Sequence, residues 1–313
     1  MKSENELDIQ FFKFIAEHGK QYKTAQEVKL RFDQFKKNLG EIKKLIKSGD
    51  LTHDVAVNYM ADWTAEEYKS LLNYRSRPHS VRTTLKSNLN QMFDHVDWNQ
   101  RGYVSAVKDQ GSCGSCWAFS AVAPLESAYA IKKDLKNNDI PLFSEQQIVD
   151  CSHEFGSLAC DGGFMEGAME HWLKHTPVLQ SEYPYTGVEG TCKEDSIIKT
   201  TKSPVKNIDE YYMLEEDKNG EEIMHAIQDG PISVAVDASG LSFQFYSKGV
   251  VTNCKNTGLN HGVTAVGYGS ESGKEFFLIK NSWGSRWGDK GFIKLGVSGN
   301  NCGVNEEPLV LVL

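Results

Sequence analysis

No stretch of the 313-residue chain approaches the roughly eighteen consecutive apolar residues of a membrane-spanning helix. The N-terminus, MKSENELDIQ, lacks the apolar core of a secretory leader, so export requires either that a leader has already been removed or a route that does not need one. No Asn-x-Ser/Thr sequon occurs, which excludes an N-glycan sorting signal. Cysteine is absent from the first 112 residues. No second Cys-x-x-C follows Cys113 and Cys116 at zinc-ribbon spacing, so neither a zinc ribbon nor any other metal site is expected. Disorder and collagen-like repeats are excluded by composition: 40% of residues are hydrophobic and 24% charged, as in ordinary globular proteins.

What is present is unevenly distributed. Residues 1–91 carry 16 Lys/Arg against 12 Asp/Glu, a net +4, so the remainder of a chain at -8 carries -12. Opposite charges favour docking of the two parts, and the acidic part is a poor nucleic-acid binder. All seven cysteines lie in the acidic part: Cys113, Cys116, Cys151, Cys160, Cys192, Cys254 and Cys302. The pattern suggests three disulfides, an oxidising compartment and one thiol left for chemistry.

Phe11, Phe12, Phe14 and Ile15, then Val28, Phe32, Phe35, Leu39, Ile42 and Ile46, recur at helical spacing and predict two amphipathic helices separated near residues 18–22. Taken alone, such stripes are ordinary core faces. Residues 73–90 are basic, polar and nearly aperiodic, which predicts an extended linker. From residue 111 small residues lead into the apolar helical pattern Ala118, Phe119, Ala121, Val122, Leu125, placing Cys116 at the start of a buried helix. Beyond about residue 205 the runs PISVAVD, GVTAVGYG, EFFLIKNSWG and GFIKLGV are β-branched, aromatic and divided by glycines, as in a twisted antiparallel sheet or barrel. The expected fold class is α+β: a helical half, then a β half, with a ligand cleft between them.

A cysteine is a strong nucleophile only as thiolate, which a helix N-terminus or nearby cation favours. Cys116 has the helix start. Among nine histidines, His261 in GLNHGVTAVGYG heads a strand-like segment and is the best base. His171 and His175 in HWLKH stand four apart, as a metal pair would, but packing or surface roles fit them better. Asn281 in KNSWGSRWG could orient the imidazole, with Trp283 shielding it. Each residue singly also has a plain structural reading.

The combination is more specific. QGSCGSCWAFS at residues 110–120, Asn260-His261-Gly262 and Asn281-Ser282-Trp283-Gly284 resemble the active-site segments of the papain and cathepsin L family. His261 and Asn281 follow Cys116 by 145 and 165 residues, where the family's spacing is about 130–150. The longer gap suggests loop insertion, most readily around residues 214–222. Residues 1–91 resemble the family's propeptide, with Glu27, Arg31, Phe35, Asn38 and Ile42 on its long-helix signature and Ile46 where that signature usually ends in Asn. Ala56, Asn58, Met60 and Asp62 match a second propeptide motif, with Ala and Met replacing the commoner Gly and Phe.

The resemblance implies a zymogen: a mainly helical inhibitory propeptide over residues 1–91, with a linker about 73–91, then a papain-like two-lobed peptidase over 92–313. Its helical left lobe would face an antiparallel, barrel-like right lobe. The implied chemistry is a Cys116 thiolate and His261 imidazolium forming an acyl-enzyme, with Asn281 orienting the histidine and the Gln110 amide and the Cys116 N–H binding the oxyanion. The implied disulfides, one choice among 15 connectivities, are Cys113–Cys160, Cys151–Cys192 and Cys254–Cys302. Substrate would pair with Gly162 and Gly163, and Trp283 would border the primed side. A selectivity pocket of Phe164, Met165, Ala235 and Leu259 would have Glu307 at its floor, suited to apolar residues or arginine. Only 32 residues separate Cys160 from Cys192, little room for an occluding loop, so an endopeptidase is expected. The implied partners are polypeptide substrates, the chain's own propeptide and cystatin-like inhibitors. A monomer without cofactor, membrane or nucleic-acid partner is expected, in a lysosome or acidic vacuole or secreted, with cleavage between about Asn88 and Phe93. The competing readings are a silent peptide-binding homologue and an inhibitor whose propeptide-like part is the active element.

Overall fold

The computed structural model describes residues 2–76 and 92–313, with side chains from residue 6 onward. The linker expectation for residues 77–91, and most of the expected cleavage span, lie outside the described residues.

The chain opens with two long helices, α1 (Lys2–His18) and α2 (Ala25–Ser48), a two-residue strand β1 (Asp54–Val55) and a short helix α3 (Ala65–Lys69). Thr24 starts α2 by accepting a bond from the Glu27 N–H at 3.1 Å, and Gly49 ends it in the left-handed region at φ 73°. Phe35, Leu39 and Ile42 lie on one face of α2 and pack with Phe11 and Phe14 of α1, Val55 and Ala61. That cluster is completed by Phe245 of the acidic part, so the cap's core is closed only on the surface of that part. Ile46, the departure from the helix signature, is 58% exposed and contributes nothing to this core.

The acidic part follows as β2 (Val96–Asp97), α4 (Cys116–Lys133), α5 (Glu145–Cys151), α6 (Met165–Lys174), α7 (Glu194–Ile198), β3 (Glu210–Met213), α8 (Glu221–Asp229), β4 (Ile232–Val236), α9 (Leu241–Gln244), β5 (Tyr246–Lys248), β6 (Val250–Val251), β7 (His261–Glu271), β8 (Lys274–Lys280), β9 (Phe292–Gly296) and β10 (Leu309–Val312). One sheet runs β3-β10-β4-β7-β8-β9-β6, with β2 added beside β7. Its pairs are antiparallel except β6 with β9, which are parallel. The apolar runs read as strands are β4, β7, β8 and β9. Within that half the structure also holds α8, whose Ile223, Met224, Ala226 and Ile227 make a helical apolar face. Residues 214–222, read as an insertion, lead into this helix, and Asp217 accepts the Glu221 N–H at 2.6 Å.

Two cores result. One lies around α4, α5 and α6 with Trp117, Leu125, Ile148 and Trp172; the other lies within the sheet, with Val234, Val266, Phe277, Trp283 and Trp287. Helix α4 lies across β7, so its first residue and the first residue of β7 come to the boundary between the cores. Disulfides join Cys113 to Cys160, Cys151 to Cys192 and Cys254 to Cys302, across separations of 47, 41 and 48 residues. In the chain-entropy account, loops of this size each stabilise the fold by about 4 kcal/mol.

Candidate active site

Cys116 is the one free cysteine among the described residues, buried at the first turn of α4. Because the sulfur of Cys113 is committed to Cys160, the Cys-x-x-C pair cannot chelate a metal as two thiolates. Ser115, the N-cap, makes no side-chain bond to the helix; its carbonyl accepts the Ala118 N–H at 2.9 Å and the Phe119 N–H at 3.2 Å.

His261 begins β7, where register with Val236 of β4 fixes its backbone. Its Nε2 lies 2.8 Å from Asn281 Oδ1, and Asn281 follows the last residue of β8. That leaves Nδ1 as the ring nitrogen without a hydrogen bond among the described residues. The Trp283 ring covers the imidazole at 4.6 Å between centroids. Gln110 is held from the β side: its Oε1 accepts bonds from Ser282 Oγ at 2.8 Å and Trp283 Nε1 at 3.1 Å. Its Nε2 is thereby aimed the other way, donating to the carbonyls of Cys113 at 2.9 Å and Leu71 at 3.2 Å.

Leu71 belongs to the N-terminal part, whose next residues fill the cleft. Tyr74 pairs in parallel with Gly163. The Gly163 N–H donates to the Asn73 carbonyl at 3.2 Å, the Arg75 N–H to the Gly163 carbonyl at 2.8 Å, and the Tyr74 N–H to the Asn260 carbonyl at 3.0 Å. Gly162 permits this approach: a Cβ there would stand 2.6 Å from the Asn73 carbonyl, and its φ of +120° disfavours any other residue. Residues 73–76 are therefore not part of a free linker, as their aperiodic sequence suggested, but an extended strand over Cys116. Extended backbone bonding needs no side-chain period.

Burial sets the protonation of the pair. It pushes the Cys116 thiol up, despite backbone N–H groups of Gly262, Asn73, Trp117 and Tyr74 that favour thiolate. It pushes His261 down to about 4, with the Asn281 bond opposing. In the covered state burial thus disfavours the charged form of each group.

The Tyr74 side chain is 4% exposed and enters the apolar cluster of Met165 and Ala235, against which Phe164 and Leu259 pack. Glu307 lies beneath it, 6% exposed, accepting hydrogen bonds from the Tyr74 and Ser76 hydroxyls. Trp283 does not border open solvent here: Tyr68 of α3 packs edge-on to its ring at 5.6 Å, and the Tyr59 hydroxyl donates to its carbonyl at 3.1 Å. His171 and His175 converge on Glu194, at 2.8 and 3.0 Å, away from the cleft.

Sequence reasoning missed a set of buried charges behind Asn281. Lys108 bridges Glu126 of α4 and Glu145 of α5 at 2.6 Å each, and Lys280 reaches Ser105 Oγ at 2.9 Å, its pKa pushed down to about 8 by burial. The partners are far apart in sequence, so only the alternation of β8, which should have sent Lys280 into the core or out to solvent, offered a signal.

Residues 92–312 match the model of the papain family of cysteine proteases, and residues 11–68 that of the cathepsin propeptide inhibitor domain. The chain belongs to the papain family and is a cysteine endopeptidase zymogen carrying its own inhibitory propeptide. It is 40% identical over 311 residues to digestive cysteine proteinase 3 of Homarus americanus, spanning 94% of this chain and 92% of that protein. It is 41% identical over 308 residues to pro-cathepsin H of Medicago truncatula, spanning 95% and 83%. Among solved structures, the digestive procathepsin L 3 of Tenebrio molitor larval midgut superposes with a TM-score of 0.85 at 33% identity, covering 98% of this chain and 99% of that one.

Proposed function

We propose that the mature enzyme is a cathepsin L-like endopeptidase in which Cys116, His261, Asn281 and Gln110 are the catalytic residues. Once the cover has left, the His261 ring takes the thiol proton and the Cys116 sulfur attacks the scissile carbonyl carbon, forming a C–S bond and an oxyanion. The Gln110 side-chain amide and the Cys116 N–H bind that oxyanion. The imidazolium gives its proton to the leaving amine as the C–N bond breaks. Water, deprotonated by His261, then hydrolyses the thioester and returns the thiol. Asn281 holds the ring through Nε2, leaving Nδ1 for the sulfur.

One observation carries this reading: the free thiol, the Gln110 amide and the Gly163 backbone all face the same stretch of propeptide, residues 71–75. An inhibitory segment is held there by the groups a substrate backbone would use. Phe164, Met165, Ala235 and Leu259 then form the pocket for the substrate residue two positions before the scissile bond, with Glu307 as its floor. Apolar residues fit the walls, and an arginine would pair with Glu307. We further assign cystatin-like inhibitors as exogenous ligands of this cleft, a monomeric state, and an acidic lysosomal or vacuolar compartment or secretion as the setting.

The test is kcat/KM of the activated enzyme on paired Phe-Arg and Arg-Arg dipeptidyl substrates. Gln110→Ala should retain single-site alkylation at Cys116 while losing about 10²–10³ in turnover on both substrates. Glu307→Ala should keep Phe-Arg hydrolysis and selectively lose Arg-Arg hydrolysis. Undiminished turnover in the first variant removes Gln110 from the mechanism, and an unchanged substrate ratio in the second removes Glu307 from specificity.

A further inference from the structure

Tyr185 sits on the helical side of the cleft, half-buried, its ring packed edge-on against Phe119 at 4.9 Å. Its hydroxyl lies 2.8 Å from the main-chain carbonyl of Gln110 and 2.6 Å from Ser115 Oγ. A carbonyl only accepts, so the phenol proton goes to Gln110, and the Ser115 hydroxyl must donate to the phenol oxygen. The relay therefore has one direction: Ser115 to Tyr185 to Gln110.

This has two effects at the reacting centre. The Gln110 peptide is pinned on both sides, its N–H donating to the Ser282 carbonyl at 2.9 Å and its carbonyl accepting from Tyr185. At the same time the hydroxyl of Ser115 is drawn away from the helix it caps. A serine at this position ordinarily satisfies a first-turn N–H. Its proton is committed to Tyr185 and its oxygen accepts no bond from the helix, whose first turn is closed instead by the Ser115 carbonyl, which accepts from the Ala118 N–H at 2.9 Å and the Phe119 N–H at 3.2 Å.

We propose that Tyr185 is a positioning residue that locks the Gln110 backbone to the start of α4, so that the two donors for the oxyanion keep a fixed separation. The proposal rests on the reading of Gln110 as an oxyanion donor. Residues 111–115 between the two donors include Gly111 and Gly114, and the disulfide at Cys113 and the Gln110 Nε2 bond to the Cys113 carbonyl also tie this turn.

The experiment uses the activated enzyme, from which the propeptide has been removed. Tyr185→Phe keeps the ring and removes the relay; kcat should fall about tenfold with KM unchanged. A peptide aldehyde, which forms a tetrahedral adduct with the thiol, should lose affinity by the same factor, while a non-covalent product-like peptide should bind as before. Should Tyr185→Phe fail to fold, Ser115→Ala cuts the relay at its other end and should weaken the aldehyde in the same direction by a smaller factor. Aldehyde affinity that is unchanged, or that falls together with the product-like peptide, overturns the proposal. Gln110→Ala is the companion measurement: if it too leaves the aldehyde unaffected, the oxyanion reading itself has failed, whereas impairment by Gln110→Ala alone removes only Tyr185.

Discussion

The helical cap of the propeptide and the short strand at residues 73–76 reach the same enzyme by different physics. The cap docks by burying side chains: Phe11, Phe14, Phe35 and Ile42 close over Phe245, and β1 adds to β5 through Asp54 and Val55. The strand docks by backbone bonds to Gly163 and Asn260 and by two hydroxyls on Glu307. Area gives the cap its grip, since hydrophobic burial is non-directional. Direction gives the strand its effect, because it occupies the Gly163 N–H and the Gly163 and Asn260 carbonyls, the groups that the proposed substrate pairing would use. The difference teaches that affinity and inhibition are separable in one segment.

Phe35→Ala should do the most damage to that division of labour. Removing a buried phenylalanine costs about 3–5 kcal/mol, so a propeptide added in trans should inhibit at least about a hundredfold less tightly. An inhibition constant moving less than fivefold would mean that the strand, not the cap, supplies the affinity. Next in size is Tyr74→Phe, which leaves the ring in its pocket but strips Glu307 of one of its two hydroxyl donors among the described residues. A hydrogen bond to a charged group contributes about 1.5–3 kcal/mol, so inhibition should weaken about tenfold or more against the parent enzyme. Against an enzyme carrying Glu307→Ala the same change should have little effect, and an equal loss in both enzymes would put the interaction elsewhere.

The smallest effect concerns pH. His53 of the cap is buried against the Ser242 carbonyl, with Asp54 and Lys274 nearby, and desolvation lowers its pKa. A histidine whose bound pKa is depressed binds fewer protons in the complex than when released. Its contribution is therefore intact above about pH 6.5 and is lost as pH falls below that value. Titrating the inhibition constant from pH 7 to pH 5 should show the wild-type cap loosening, and His53→Phe should flatten the curve by a factor of a few. A curve of unchanged steepness would assign the acid sensitivity to other groups, the +4 and -12 halves among them.

The same contrast explains what could be read before the fold was known. Phe35, Leu39 and Ile42 announce α2 because burial on a helix imposes a period, and Cys116, His261 and Asn281 each sit inside a short local pattern. Residues 73–76 look like linker because their work is done by peptide groups, which every residue carries. Ser115 and Tyr185 stand 70 residues apart, and a hydroxyl relay has no spacing rule. Helix α8 was folded into the β half because its nine residues lie among strand-like runs and its start is set by Asp217, a turn residue before it is a cap.

The antiparallel join of β1 with β5 has a consequence for the life of the enzyme after cutting. While cap and peptidase share one chain, the cap meets its site at an effective concentration of order millimolar, whatever the dilution of the protein. Severing the connection abolishes that advantage but leaves the main-chain pairing and the aromatic cluster available to the same two surfaces. The freed cap then obeys mass action. At high concentration it can still cover the cleft, and dilution alone uncovers it.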